Sequence, residues 1–293
     1  MQSPVKHFEK TRLAPTPSGF LHLGNVLSFA ITVALAQENG AKILLRIDDL
    51  DQARADKKYI QDIFDTLEFL EIPWDEGPRD IKEFESAYSQ LYRLDMYNEA
   101  LKKLSDNGLV FACTCSRKQV NENHSCECLS KNIPLNTRDA SWRLIIRDNT
   151  ELEAKNYTDE IIHASLPAEM QNFVVKKKDG FPSYQLASVM DDLFYGIDLV
   201  VRGEDLWPST LAQHELASVL GQNDFTDITF YHHPLLTELS GKKLSKSAGA
   251  TSVRHLRESG YKPGNIYSLI AEMLGIHETI ADWQQLAGMV KTK

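Results

Sequence analysis

Four cysteines fall within one 16-residue window, as Cys113-Thr-Cys115 and then, ten residues on, Cys126-Glu-Cys128. Thiolates hold zinc at about 2.3 Å in a tetrahedron, and two close pairs pinch a chain into the knuckle that such a site needs. In a reducing compartment disulfides are disfavoured, so the spacing reads either as a Zn2+ site or as a loop of separate thiols. His124 lies four residues before Cys128 and competes with Cys126 as the fourth ligand. A second segment, Arg12-Leu-Ala-Pro-Thr-Pro-Ser-Gly-Phe-Leu-His-Leu-Gly-Asn25, places His22 and Gly24 where a strand hands over to a helix. A glycine there lets a nucleotide base approach the backbone, and an imidazole can donate to phosphate oxygens. The plainer reading is a tight Pro/Gly turn with an incidental histidine. A third, Lys242-Lys-Leu-Ser-Lys-Ser247, follows Gly241. It is either a solvated surface or a cationic clamp in which Lys243 and Lys246 stabilise a departing pyrophosphate.

Strands and helices must alternate to position these residues. The first strand is expected near Thr11–Ala14, ended by Pro15 and Pro17, and Gly40 is expected to close a helix over about Asn25–Glu38. Ala41–Ile47 reads as a strand buried on both faces. Helices follow over Asp56–Leu70 and Ala87–Ser105, the latter with Leu91, Leu94, Tyr97, Leu101 and Leu104 as its core stripe. From Leu109 to Lys178 the alternation lapses, with short strands at Ser141–Arg147 and Phe173–Lys177. It resumes with a helix over Ser183–Leu193, a strand over Ile197–Arg202, a helix over Ser209–Leu220 and a strand over Thr229–Tyr231. Helices are expected near Val253–Ser259, Asn265–Leu274 and Thr279–Met289. The fold class is therefore α/β, a doubly wound parallel sheet of Rossmann type. Residues 1–108 and 181–240 would be its halves, 109–180 an inserted connective subdomain with the cysteine knuckle, and 241–293 the lysine loop and a helical region.

The chain has 293 residues, 42% apolar and 25% charged, which excludes the disordered and fibrous classes. No run approaches the roughly 18 apolar residues of a membrane helix, and residues 1–10 lack the apolar centre of a signal peptide. A cytoplasmic monomer away from membranes is expected. With 32 Lys+Arg against 41 Asp+Glu the net charge is −9, which on average argues against nucleic acid. A local basic face from Lys176–Lys178, Lys242, Lys243, Lys246, Arg254, Arg257 and Lys262 would still serve an RNA partner.

The His22 and Lys246 segments, in this order and about 220 residues apart, resemble the two motifs shared by class I aminoacyl-tRNA synthetases. Arg12-Leu-Ala-Pro-Thr-Pro-Ser-Gly resembles the opening of the glutamyl branch. Arg46-Ile-Asp-Asp-Leu-Asp51, Tyr184-Gln-Leu-Ala-Ser-Val-Met-Asp-Asp192 and Val201-Arg-Gly-Glu-Asp205 resemble segments that build that branch's amino-acid pocket. The resemblance runs from about Arg12 to Gly275. It implies that Arg12, Ala14, Thr16, Asp48, Tyr184 and Arg202 bind glutamate, Asp48 taking the ammonium. His22, Gly24, Asn25 and Lys246 would bind ATP, which carries Mg2+, and His22, Lys243 and Lys246 would serve catalysis. Asp48 departs from the branch's usual Glu and is one methylene shorter, so the ammonium contact becomes water-mediated or the ligand shifts. The plainer alternatives are ion pairs from Arg12 and Arg46 to Asp49 or Asp51, and Tyr184 as an ordinary helix-face aromatic.

Only 46 residues follow Ser247, where full glutamyl enzymes carry an anticodon-reading domain. That shortness and the Cys-x-Cys knuckle resemble the glutamyl-queuosine tRNA(Asp) synthetase family, which activates L-glutamate with ATP and esterifies it to queuosine in the anticodon of tRNA(Asp). The family's knuckle has a tyrosine where His124 stands, and Cys126 is additional. Cys113, Cys115 and Cys128 are thus the firmest implied ligands. A truncated glutamyl-tRNA synthetase charging the acceptor end of tRNA(Glu), a non-catalytic synthetase-like binding protein, and an unrelated nucleotidyltransferase are the rival readings.

Overall fold

A computed structural model describes residues 7–116, 119, 126–146, 151–236 and 252–291. The chain divides into two compact units: Met1–Tyr92 with Ile197–Glu204 and Tyr231–Lys293, and Arg93–Gly196 with Asp205–Phe230.

The first unit is built on parallel strands. β1 (Lys10–Leu13) pairs in register with β2 (Lys42–Leu45), from Lys10↔Lys42 to Leu13↔Leu45, and with β8 (Leu199–Gly203) at Thr11↔Leu199. Asp198 fixes the start of β1 by accepting the Glu9 and Lys10 N–H groups at 2.7 and 2.9 Å, and the Thr11 hydroxyl donates to the Leu199 carbonyl at 2.8 Å. Helix α1 (Leu23–Asn39) joins β1 to β2. Val26, Leu27, Ala30, Ile31, Val33, Leu35 and Ala36 have no exposed surface, so it is a core helix that is apolar well beyond one stripe. Gly40, at φ 73°, closes it with its N–H on the Ala36 carbonyl, the left-handed cap that favours glycine. Helix α2 (Lys57–Phe69) starts on the Asp56 side chain, which accepts the Lys58 N–H. The unit ends in α6 (Val253–Glu258), α7 (Pro263–Met273) and α8 (Trp283–Lys291), the last packed on α1.

The second unit holds α3 (Leu94–Asp106), an antiparallel sheet in the order β3 (Val110–Cys113), β4 (Ser141–Leu144), β7 (Val174–Lys176), and helices α4 (Tyr184–Phe194) and α5 (Trp207–Leu220). A hairpin of β5 (Glu151–Asn156) and β6 (Ile161–Ser165) also belongs to it. β5 pairs in parallel with the first residues of β9 (Thr229–His233), Lys155↔Thr229 and Asn156↔Phe230. At its centre Arg93 donates to both oxygens of Asp191, at 2.8 and 3.3 Å, and the Tyr97 hydroxyl donates to Oδ1 at 2.6 Å. The carboxylate is fully enclosed, and its partners supply the hydrogen bonds that make a buried charge tolerable.

Three expectations need correcting. The helix over Ala87–Ser105 begins only at Leu94. A five-residue π turn, Phe84–Tyr88, and a 3-10 turn, Gln90–Arg93, precede it. The cause is Asp49, whose carboxylate accepts the Ser89 hydroxyl at 2.6 Å and the Gln90 N–H at 2.8 Å, competing with helical bonding. Leu91 is consequently exposed and Leu94 half-buried, leaving Tyr97, Leu101 and Leu104 as the core stripe. The helix expected from Ser209 starts two residues earlier, with Pro208 in its first turn, where a missing N–H costs nothing. The helix expected from Thr279 starts at Trp283. Among the described residues no helix is long and apolar enough to cross a membrane.

Candidate active site and metal centre

The described candidate residues of the first unit, Arg12, Ala14, Thr16, His22, Gly24, Asn25, Asp48 and Arg202, fall at or just beyond the carboxyl ends of its parallel strands, where open α/β sheets bind ligands. Arg12 lies near the end of β1 and Arg202 near the end of β8, only 6% and 4% exposed. The Thr11↔Leu199 register sets Arg12 level with Val200, two residues before Arg202. Alternation along the strands therefore sends both guanidinium groups to the same face. The ladder continues past β2, where the Arg46 N–H donates to the Leu13 carbonyl at 2.9 Å and the Asp48 N–H to the Pro15 carbonyl at 2.9 Å. Asp48 is thereby held beside the stretch that carries Ala14 and Thr16, of which Ala14 is half-buried and Thr16 exposed.

The ion pairs weighed for Arg46 form differently. Arg46 closes a fork on Asp48, Nε to Oδ1 at 2.7 Å and Nη2 to Oδ2 at 3.1 Å. Asp49 is engaged by Ser89 and Gln90, and Asp51 is bonded by Arg54. A carboxylate has about four lone-pair sites, so the fork leaves Asp48 able to accept from an ammonium while fixing its plane.

His22 is the N-cap of α1, and its N–H is taken by the Asn25 side chain at 3.0 Å. A Cβ on Gly24 would lie 3.0 Å from His22 Cε1 and 3.1 Å from Nδ1. The glycine is what leaves the imidazole its place. His22 also bridges Ser252, and the Val253 N–H donates to the Leu21 carbonyl at 2.8 Å, so α6 braces this turn. Lys243 and Lys246 lie outside the described residues. Tyr184 belongs to the second unit, as the first residue of α4, 46% exposed; its helix is capped by Ser183, whose hydroxyl accepts the Leu186 N–H at 3.4 Å.

Sequence reasoning passed over His232, on β9 in the first unit. Burial, then the charges of Arg202 and His233, push its pKa down to about 3 from 6.5. Between those values the unfolded chain binds a proton that the folded chain refuses, so stability falls as pH drops from about 6.5 toward 3. Urea midpoints of the parent are expected to fall more steeply than those of His232→Gln between neutral and mildly acid pH. Parallel slopes would contradict this environment for His232. The signal was Tyr231-His-His-Pro234, which closes a strand next to a proline.

In the second unit Cys113 ends β3, Cys115 follows it, and Cys126 and Cys128 flank the start of a short 3-10 turn, Glu127–Leu129. Their four sulfurs lie within 4.8 Å of one another. Cys113 and Cys126 are separated by 3.3 Å, Cys115 and Cys126 by 3.8 Å, and Cys115 and Cys128 by 3.5 Å. A tetrahedron with Zn–S near 2.3 Å requires about 3.8 Å between sulfurs, so the four fit one zinc ion. Burial pushes the Cys128 thiol up, but the Thr114 backbone hydrogen bond and the neighbouring cysteines outweigh it and bring the pKa down to about 7. Such a metal would be structural, tying the end of β3 to the 3-10 turn. His124 lies outside the described residues.

Parallel strands joined by a helix, with buried cations at the strand ends, make a Rossmann-like fold of the class I synthetase type. The chain belongs to the class I tRNA synthetases (E and Q), catalytic domain, a family of ligases that it matches over residues 9–292. It is 30% identical to a Glutamate--tRNA ligase of Nitrosomonas europaea over 306 residues, 97% of this chain and 63% of that protein. It is 32% identical to Glutamate--tRNA ligase 2 of Syntrophus aciditrophicus over 279 residues, 89% of this chain and 56% of that protein. The chain thus spans about three fifths of the length of these relatives. The glutamate-tRNA synthetase of Elizabethkingia anophelis shares the fold with a TM-score of 0.71 at 21% identity, covering 96% of this chain and 65% of that one. Methionyl-tRNA synthetase of Mycobacterium tuberculosis, in complex with methionyl-adenylate, does so with a TM-score of 0.53 at 11% identity, over 90% and 64%.

Proposed function

We propose that the chain activates L-glutamate with ATP and transfers the glutamyl group to tRNA, with the queuosine of tRNA(Asp) as the acceptor. The observation that carries the reading is the common face of Arg12 and Arg202 at the ends of β1 and β8, joined by the Arg46-braced Asp48. Two forks and a carboxylate complement an amino acid with two carboxylates and one ammonium. In the first step a carboxylate oxygen of glutamate attacks the ATP α-phosphorus and pyrophosphate leaves with the bridging electron pair. In the second, a hydroxyl of the cyclopentenediol of queuosine attacks the mixed anhydride, loses its proton and releases AMP. Positioning and charge stabilisation suffice, with no protein nucleophile. His22, Gly24 and Asn25 would seat ATP with its Mg2+, and Lys243 and Lys246 would hold the pyrophosphate, roles that rest on the motif resemblance.

The Cys-x-Cys knuckle favours queuosine as acceptor. The names of the relatives favour the second reading, charging of tRNA(Glu) at its acceptor end. Activation is tested by ATP–pyrophosphate exchange across a panel of amino acids, with and without tRNA. Exchange is expected with glutamate and not with glutamine or aspartate. Exchange with another acid alone, or with none under either condition, would overturn the reading.

A further inference from the structure

We propose that a cleft on the first unit, bounded by Phe20, Tyr59, Lys58, Arg254, His255 and Glu258, holds one unstacked nucleotide of RNA. The cleft is shallow and broadly open to solvent, with a volume of about 500 Å³, within the roughly 300–1,000 Å³ of small-ligand sites. Its apolar walls are two half-buried rings, Phe20 and Tyr59, in edge-to-face contact with centroids 4.9 Å apart at 83°. The Arg254 guanidinium lies 4.7 Å from the Phe20 centroid, and Lys58 Nζ lies 4.8 Å from that of Tyr59. Rings and a planar guanidinium are the surfaces on which single-stranded RNA bases stack.

Charge narrows the ligand. Arg254 is tied to Glu258 at 2.8 Å and Lys58 to Asp56 at 2.9 Å. The cleft is therefore close to neutral, which suits a flat base with a polar edge better than a bare polyanion. Glu258 faces the cleft as an acceptor for a base amino group, and the exposed His255 and Lys58 can donate to the adjoining phosphate. Ser252, at the cleft wall, bridges His22, and Phe20 stands two residues before it. A nucleotide held here is thus anchored to the strand-to-helix turn at which the chain would seat ATP.

This proposal rests on the chain acting on RNA, and its test separates the two claims. Fluorescence anisotropy would follow a short RNA hairpin with an open loop, a fully paired RNA duplex of the same length, and AMP as competitor. Phe20→Ala is expected to weaken the hairpin about tenfold, the order found for losing one base–aromatic stack, while duplex affinity stays unchanged and Phe20→Tyr retains parental binding. No hairpin binding by the parent, no loss in Phe20→Ala, or equal losses on hairpin and duplex would overturn the pocket. AMP competing as tightly as the hairpin binds would also overturn it, by marking a free-nucleotide site. Tyr59→Ala, read the same way, guards against a local folding defect in the first variant. Glutamate transfer by the parent is measured separately: transfer without the hairpin contrast removes the pocket and leaves the enzyme. The contrast without transfer does the reverse.

Discussion

Replacing Arg202 by alanine is expected to lower kcat/KM for glutamate, read in ATP–pyrophosphate exchange, by roughly 10²–10⁴-fold, through KM more than kcat. The magnitude follows from the fork: each hydrogen bond to a charged partner is worth about 1.5–3 kcal/mol, two are lost, and each 1.4 kcal/mol is tenfold. A guanidinium that binds the carboxylate equally in ground and transition states moves KM and leaves kcat. Arg202 is 4% exposed, so solvent cannot replace it cheaply. Arg202→Lys separates geometry from charge: an ammonium is a point donor without the planar fork, and it is expected to recover little of the loss. Near-parental KM in both variants, with thermal midpoints unchanged, would remove Arg202 from the amino-acid site.

The second large effect concerns the cysteine cluster. Protein prepared without added metal is expected to carry close to one equivalent of zinc by elemental analysis, and Cys128→Ala to carry almost none. A metal held at a free concentration a thousand times its Kd stabilises the folded state by about 4 kcal/mol, roughly 15 °C of thermal midpoint for a unit of this size. Chelation of the parent is expected to reproduce the midpoint of Cys128→Ala, because both remove the same tie between β3 and the turn at Glu127–Leu129. The knuckle also reaches β4 and the end of β7: the Ser141 hydroxyl donates to the Cys113 carbonyl at 3.1 Å, and Lys178 Nζ to the Thr114 carbonyl at 2.8 Å. Metal-free parent with an unshifted midpoint would reduce the cluster to packed thiols.

The parts of the fold legible in the sequence were those whose causes are local. Gly40, four residues after the end of the largely apolar stretch Val26–Ala36, marked the end of α1, and the mostly apolar Ala41–Ile47 marked β2 with two residues to spare at the far end. The hairpin Glu151–Ser165 gave no such signal, because Leu152 and Ala154 are its only buried side chains. The helix through Ala87 was over-extended because its breaker is remote: Asp49 reaches Ser89 and Gln90 from about 40 residues away. The Arg46–Asp48 fork was within reach of sequence reasoning. Residues two apart on extended chain share a face, and weighing Asp49 or Asp51 as partners overlooked that. The expected basic face is also more neutral than its residue count implied, since Arg254, Arg257 and Lys177 pair with Glu258, Asp62 and Asp179.

The proposed acceptor is tested most directly by supplying labelled glutamate and ATP with queuosine-containing tRNA(Asp), queuosine-free tRNA(Asp) and tRNA(Glu), side by side. Base-labile glutamate is expected on the queuosine-containing tRNA(Asp) alone, and to require ATP. Label on tRNA(Glu), or equal label with and without queuosine, would contradict the account.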